Sequence, residues 1–335
     1  MRGPRDGGVF VGGRVLAVTS TVLVLRALGL GDLLTAVPAL RGLRRAHPGH
    51  RIVLAAPRGL GPLLPLVDAV DELHPTPDMR EFDWPDAPVE LAVNLHGSGP
   101  QSTTALRAAR PRRLVTHANP ALPDVEGPRW PSGEHEVRRW CRLLRHHGIP
   151  ADHDDLRLRP PDATSPAPDA VVVHPGASHA ARCWPRERFA ALARWLAARG
   201  RRVVITGGAE ERERAHQVAA LADLPPESVL AGRTALPELA ALVASARLVV
   251  CGDTGVAHLA TGFGTPSVVL FGPVSPAEWG PPEDPNHVAL WTGTVGDTFA
   301  DEPDPGLLRL TTDEVIEAAA AQLDRCAAVP RGGPP

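Results

Sequence analysis

The residues best suited to chemistry lie in the stretch 248–282, where a short apolar run leads into Asp253, Thr254, Gly255 and His258. A buried strand, a Gly-rich turn and a helix form one unit of a parallel α/β sheet, which binds ligands at the carboxyl ends of its strands. The start of such a helix offers unpaired N–H groups and a partial positive charge, and glycine lets a ligand approach the backbone. The pattern predicts a phosphate site, with His258 as a further donor. In the alternative interpretation, Asp253 or Thr254 only caps the helix.

A second candidate site follows the apolar run 170–174. Its loop contains Ser178 and Arg182, and the next helix begins near Pro185, a residue suited to a first turn. A hydroxyl and a cation that converge on a helix terminus can hold a diphosphate. The alternative is a surface loop whose Trp184 packs on the domain.

Two further Gly turns follow apolar runs. The turn at Gly207 and Gly208 precedes Glu210 and Glu211, and both acids also favour a helix N-terminus without any ligand. The turn at 28–34 contains a G-x-G pattern followed by Asp32, but Leu34 occupies the third glycine position of a dinucleotide fingerprint. Position alone therefore favours Asp32 as a helix cap.

The segments 253–260 (DTGVAHLA), 264–266 (GTP) and 270–273 (LFGP) strongly resemble glycosyltransferase family 9, the ADP-heptose heptosyltransferases and their relatives. The resemblance covers about residues 20–325, with three motifs in the family's order. It implies an α/β protein with the GT-B fold, in which two Rossmann-like domains face each other across a cleft. The first domain would present the acceptor, and the second would bind a nucleotide-diphosphate sugar.

The resemblance also implies roles for the candidate residues. Asp32 matches the general base that deprotonates the acceptor hydroxyl. Glu210 or Glu211 would hydrogen-bond the ribose hydroxyls, and the choice between them stays open. Arg182 departs from the family, which usually has Lys there; Arg keeps the charge but changes the geometry. The implied donor site comprises Ser178, Arg182, Asp253, Thr254, Gly255 and His258 for the diphosphate, and Gly207, Gly208, Glu210 and Glu211 for the nucleotide.

Composition indicates which partners, cellular location and metal sites to expect. The 335 residues carry a net charge of −3, which gives no general attraction for nucleic acid. Four cysteines are far apart and form no C-x-x-C pair, so we expect free thiols, no zinc site and a cytoplasmic protein. The chain contains no Lys, so every fixed side-chain cation is Arg. The acidic segment 152–155 contains an Asp-x-Asp pair, for which a solvated loop is favoured over a metal site. We expect no metal and no cofactor.

The predicted organisation begins with a disordered tail, 1–13, and a first Rossmann-like domain, 14–160. A Pro-rich linker, 161–169, leads into the second Rossmann-like domain, 170–310. A C-terminal helix, 311–328, is expected to pack back on the first domain, as in other GT-B proteins.

The predicted function is heptosyltransferase-like, metal-independent, inverting sugar transfer to a glycan, glycolipid or small-molecule hydroxyl. A lipid-linked acceptor would bring peripheral association with a membrane. The alternatives are another GT-B-type nucleotide-sugar enzyme, such as an epimerase or hydrolase, and a non-catalytic nucleotide-sugar binding protein.

Overall fold

The computed structural model describes residues 10–11, 14–15, 20–85 and 87–328. Strands β1 (Phe10–Val11) and β2 (Arg14–Val15) pair antiparallel. Apart from β1, the predicted tail 1–13 lies outside the described residues.

The first domain is a five-stranded parallel sheet with the order β5-β4-β3-β6-β7. Its strands are β3 (Thr21–Leu25), β4 (Arg51–Ala56), β5 (Glu72–Pro75), β6 (Leu91–Asn94) and β7 (Arg113–Val115). Its helices are α1 (Leu30–Thr35), α2 (Val37–Ala46), α3 (Leu64–Val67), α4 (Pro100–Ala108) and α5 (Glu136–His146). Central strand β3 is fully buried, as expected for a parallel sheet covered on both faces.

The pattern of residues 33–46 predicts one helix that Pro38 should kink or restart, and the structure has two helices there. Helix α1 ends and α2 begins at Ala36, and Pro38 occupies the first turn of α2, where a missing N–H costs nothing. The break leaves α1 as a separate short helix at the carboxyl edge of the sheet, with Asp32 in its first turn.

The second domain repeats the architecture with the strand order β12-β11-β10-β8-β9. Its strands are β8 (Val171–His174), β9 (Val203–Ile205), β10 (Leu248–Gly252), β11 (Ser267–Leu270) and β12 (His287–Leu290). Its helices are α6 (Arg186–Ala197), α7 (Arg212–Leu221), α8 (Leu236–Ser245), α9 (Gly255–Phe263), α10 (Pro276–Trp279), α11 (Pro305–Arg309) and α12 (Thr312–Ala328). The linker 161–169 contains no helix or strand.

Two local expectations for the second domain were wrong. The short apolar run at 228–230 predicts a strand, but the structure has only a single parallel bridge between Ile205 and Val229, and a 3-10 turn at Pro226–Ser228 takes up the first of the three residues. The Pro- and Gly-rich composition of the segment 274–304 predicts irregular structure, but the segment contributes α10 and the edge strand β12. That strand is only half-buried, so its composition lacks the apolar run of an interior strand.

The expected return of the C-terminal helix to the first domain is not what the structure shows. Helix α12 packs against α6, β10 and β11 of its own domain. Val315, Ala319 and Leu323 recur every four residues and are buried in the second domain's core with Leu307. This stripe is one helix face, and the second sheet supplies the apolar surface that covers it.

The two domains meet through α1 and α9. A methyl group built on Gly255 would lie 2.8 Å from Cβ of Leu30, and one built on Gly31 would lie 3.0 Å from Cδ2 of His258. These helices therefore approach as closely as their glycines allow. A second link is the 2.9 Å hydrogen bond between Nε2 of His135 and the carbonyl of Gly280.

Candidate active site

The core of the site is the end of β10, where Asp253 pairs with Arg182 from the loop after β8. Nη1 of Arg182 lies 3.4 Å from Oδ2 of Asp253, and the Asp253 side chain is 7% exposed. Burial raises the pKa of Asp253 to about 6; the Arg182 charge opposes this rise and the nearby Asp32 adds to it. The two predicted motifs therefore meet, and Asp32 of the first domain lies close enough to couple electrostatically.

The start of α9 is not capped by a side chain. Thr254 is the N-cap residue and makes no side-chain hydrogen bond to the first turn, while Asp253 is directed to Arg182 instead. The capping alternative therefore does not describe this turn. The first amides of α9 and the helix dipole remain suited to an anion.

His258 lies in the second turn of α9 and faces a cavity between the domains. The cavity has a volume of about 500 Å³, and its walls include His135, Val137 and Arg138 at the start of α5, the segment 153–156 and the segment 276–283. Burial lowers the pKa of His258 to about 4, helped by the charges of His135 and Arg26. At neutral pH His258 is therefore an uncharged imidazole, which can donate a hydrogen bond but adds no positive charge.

Asp32 lies in the first turn of α1 with its side chain 26% exposed. Oδ2 accepts a hydrogen bond from the amide of Gly29 at 3.2 Å, and Oδ1 lies 3.1 Å from Nη2 of Arg26. Asp32 is therefore not the N-cap that position alone favoured: Gly29 is the N-cap of α1, and Asp32, three residues later, accepts a hydrogen bond from its amide and is also fixed by a buried cation. Both oxygens keep a lone pair, so Asp32 can still accept a proton.

The structure separates the two candidate ribose ligands. Glu210 is exposed, whereas Glu211 turns back over the ends of β8 and β9. Its Oε2 accepts a hydrogen bond from the amide of Gly208 at 2.7 Å and lies 3.9 Å from Nε2 of His174. A methyl group on Gly176 would overlap the Glu211 carboxylate. Glu211 is thus the acid that faces the carboxyl edge of the sheet.

The remaining candidates are less closely involved. Ser178 is exposed on the loop that carries Arg182, and Gly207 packs on Cβ of Glu211. Gly255, expected to admit a ligand, gives its free space to Leu30 of the first domain. Local pattern could not reveal this contact, because its two residues are far apart in the chain.

Sequence reasoning missed the residues that hold Asp32 and those that line the cavity. Arg26 and Glu136 are buried charged residues, and Arg26 could have been singled out as a cation at the end of an apolar strand. His135 and Arg138 carry no motif. No local signal would have placed them beside α9.

Among the described residues, one group, Asp152, His153 and Asp154, offers ligand atoms within 4.8 Å of one another. The two aspartates are exposed, and exposed acidic groups commonly occur without metal. Neighbouring Asp155 instead forms ion pairs of 2.6 Å with Arg41 and Arg45. In the described part of the chain, no helix combines the length and the apolar composition needed to cross a bilayer.

Two parallel-sheet α/β domains, with a carboxylate on one facing a helix N-terminus on the other, define a GT-B-type protein. The sequence matches the model of glycosyltransferase family 9 (heptosyltransferase) over residues 122–298, more than half of the chain. The chain belongs to this family, which confirms the predicted resemblance. The matched segment contains every predicted donor residue but not Asp32.

The individual proteins that this chain is similar to are also heptosyltransferases. Lipopolysaccharide heptosyltransferase 3 of Escherichia coli is 35% identical over 125 residues, 37% of this chain and 36% of that protein. Lipopolysaccharide heptosyltransferase 1 of Pseudomonas aeruginosa is 28% identical over 292 residues, 76% and 79% of the two chains. The chain thus spans about a third of the first of these curated relatives and over three quarters of the second.

The solved structure of the E. coli ADP-heptose LPS heptosyltransferase II superposes with a TM-score of 0.73 at 22% identity. The match covers 91% of this chain and 99% of that one. It confirms the predicted fold.

Proposed function

We propose that this protein transfers a sugar, with inversion, from a nucleotide-diphosphate donor to an acceptor hydroxyl. The observation that carries the proposal is the pairing across the cleft: Asp32 stands on the first domain opposite Arg182 and the uncapped start of α9 on the second. A base and an anion site on facing domains are what single displacement at an anomeric carbon requires.

In the proposed reaction, Asp32 takes the proton of the acceptor hydroxyl while the oxygen attacks the anomeric carbon. The bond from that carbon to the diphosphate oxygen breaks, and its electron pair leaves with the diphosphate. Arg182 and the first amides of α9 meet the developing negative charge, and neutral His258 donates a hydrogen bond. These fixed dipoles and one cation form a preorganised electrostatic site, so we propose transfer without a metal.

Asp253 has a different role in this proposal from the one its motif suggested. A carboxylate repels a diphosphate, but it can hold the guanidinium of Arg182 at the mouth of the site. We propose that Asp253 acts through Arg182 and that Thr254, Gly255 and Arg182 contact the donor. The cavity of about 500 Å³ beside His258 has room for the sugar.

We propose ADP-heptose or a related nucleotide sugar as the donor, because the relatives and the superposed enzyme are named as heptosyltransferases. Glu211 is the proposed ribose ligand because it faces the strand ends while Glu210 is exposed. A glycan, a glycolipid or a small molecule would supply the hydroxyl, and a lipid-linked acceptor would bring peripheral membrane association. We also propose a cytoplasmic location, supported by the free thiols of Cys141, Cys183 and Cys251.

Binding of the donor tests the proposal first. ADP-, GDP-, UDP- and dTDP-sugars are screened by thermal shift with NAD as the control, because a ligand that binds the folded state raises Tm. We expect a rise with one sugar nucleotide and none with NAD. A rise with NAD alone would refute the glycosyltransferase assignment.

Turnover then separates the alternatives. With the identified donor, an epimerase or hydrolase releases an isomer or free sugar without any acceptor. A non-catalytic binding protein binds the donor equally in wild type and Asp32→Asn, and neither consumes it. We expect Asp32→Asn to bind the donor as wild type does and to lose transfer by at least a hundredfold.

A further inference from the structure

Arg26 is a buried arginine that joins four elements behind the proposed base. Its side chain is 1% exposed, at the end of β3. Nε donates to the carbonyl of Asp32 at 2.6 Å, and Nη1 donates to the carbonyl of Leu95. Nη2 reaches Oδ1 of Asp32 at 3.1 Å and Oγ1 of Thr35 at 3.2 Å. This one guanidinium fixes both the backbone and the carboxylate of Asp32.

The far side of the guanidinium is held by Glu136 in the first turn of α5. Oε1 of Glu136 lies 3.0 Å from the same Nη2 atom and accepts a hydrogen bond from Nε1 of Trp140 at 2.9 Å. Oε2 accepts from Arg139, and the Glu136 side chain is only 6% exposed. Trp140 also lies under Arg26, with Cζ 4.8 Å from the ring centroid. Glu136 is therefore as tightly held as Arg26 itself.

We propose that Glu136 is a positioning residue for catalysis: it fixes Arg26 against Asp32 and balances the charge of Arg26. The inference rests on the proposed function, because it concerns the basicity of Asp32. Two buried arginines, Arg26 and Arg139, face two carboxylates, Asp32 and Glu136, so the cluster is neutral only while Glu136 is ionised. Leaving a buried charge uncompensated is strongly unfavourable.

The charge of Glu136 matters to Asp32 because both carboxylates contact one nitrogen. Without that charge, Arg26 would act on Asp32 unopposed, which favours the ionised base and makes it a weaker proton acceptor. Other charged or titratable groups lie near Asp32: His96 after β6 and Asp253 of the second domain interact with its charge, and His258 lies against the neighbouring Gly31. None of these three touches Arg26 by a hydrogen bond in the described structure. Glu136 is the group whose charge can be removed without altering the cleft.

The test is Glu136→Gln, which keeps the shape and the acceptor oxygen but removes the charge. Glu134→Gln is the matched control, because Glu134 lies two residues earlier, just before α5, and pairs with Arg142 rather than with Arg26. We expect the acid limb of the pH profile of kcat/KM to move down by about one unit in Glu136→Gln. The plateau kcat should fall, the donor KM should stay within twofold, and the control should match wild type.

A purely structural role would lower activity at every pH and leave the acid limb in place, which would overturn the proposal. Should Glu136→Gln fold poorly, the double variant Glu136→Gln, Arg139→Gln restores the neutral cluster. We expect it to fold and to recover about half of the shift, because Arg139 lies farther from Asp32. If the acid limb of the double variant stays where Glu136→Gln places it, the result also contradicts the role of Glu136 in charge balance.

A measurement without turnover keeps this inference separate from the proposed function. The carboxyl carbon of Asp32, assigned by comparison with Asp32→Asn, is titrated by NMR in wild type and in Glu136→Gln. We expect the titration midpoint to fall by about one unit. An unmoved midpoint refutes the role of Glu136 even if the enzyme transfers sugar. A shifted midpoint in a protein that transfers nothing supports the electrostatic link and refutes the proposed function alone.

Discussion

Asp253→Asn is expected to make the protein more stable at neutral pH. Burial raises the pKa of Asp253 from 3.8 to about 6, with Arg182 opposing the rise and Asp32 adding to it. The folded protein therefore holds this proton more tightly than the unfolded chain. Where the folded state binds more protons, the free energy of unfolding falls as pH rises. The loss falls between pH 4 and pH 6 and is complete above pH 6.

The size of the change in the free energy of unfolding follows from the pKa shift of Asp253. One pKa unit corresponds to 1.36 kcal/mol, so the ionised side chain costs the folded state about 3 kcal/mol at neutral pH. About 2 kcal/mol of this lies between pH 4.5 and pH 7.5. Asn has nearly the same shape and no charge. The free energy of unfolding of Asp253→Asn relative to wild type should therefore rise by about 2 kcal/mol over this interval.

The assay is urea unfolding at pH 4.5 and pH 7.5, followed by tryptophan fluorescence. Trp184 is buried in the second domain. A change in fluorescence that becomes smaller in the variant Trp184→Phe therefore reports the unfolding of this domain. Arg182→Met gives a second arm: without the opposing cation the pKa of Asp253 should rise further, and the pH-dependent loss should grow. Asp152→Asn, at an exposed site, is the matched control.

A difference between Asp253→Asn and wild type that is equal at both pH values would refute the reasoning. It would mean that Asp253 is solvated or paired well enough to ionise freely.

Three further predictions concern contacts around the cleft. Gly255→Ala should lower kcat/KM at least tenfold, because its new methyl would lie 2.8 Å from both Cβ and Cγ of Leu30; Leu30→Gly in the same chain, which removes both atoms, should restore part of the loss, and no restoration would argue against steric separation of the domains. Glu211→Gln should weaken donor binding about tenfold by calorimetry, whereas Glu210→Gln should stay within twofold; equal effects would contradict the assignment of the ribose ligand. Leu323→Ala should destabilise the second domain by about 2–3 kcal/mol in urea, and a first-domain transition that moves instead would contradict the observed packing of α12.

Local sequence signals predicted most of the fold and the outline of the site. Apolar runs followed by Gly turns placed β3, β8, β9 and β10 and set Asp32, Arg182 and Asp253 at carboxyl strand ends. Pro38 marked the break between α1 and α2. These features succeed because strand burial, turn geometry and proline restriction depend on neighbours in the chain. The parallel order of the sheets then brings the turns together.

Contacts between distant residues could not be predicted in the same way. Arg26 and Glu136 are 110 positions apart, and their pairing depends on how α5 crosses the end of β3. The docking of α12 depends on which sheet leaves an apolar surface open. Neither contact can be recognised from the local sequence pattern. For α12, for example, the same amphipathic helix could cover either domain.

Gly255 was correctly placed at the site from the sequence, but the reason given for a glycine at this position was wrong. The glycine was expected to clear space for a ligand, yet its Cβ direction meets Leu30 of the first domain. The amides of the first turn of α9 point along the helix axis instead, so packing and anion binding use different sides of the turn. Leu30 lies two residues before Asp32, and Gly31 between them touches His258. The contact therefore sets the distance between the base and the diphosphate site, and a residue larger than glycine at 31 or 255 would lengthen it.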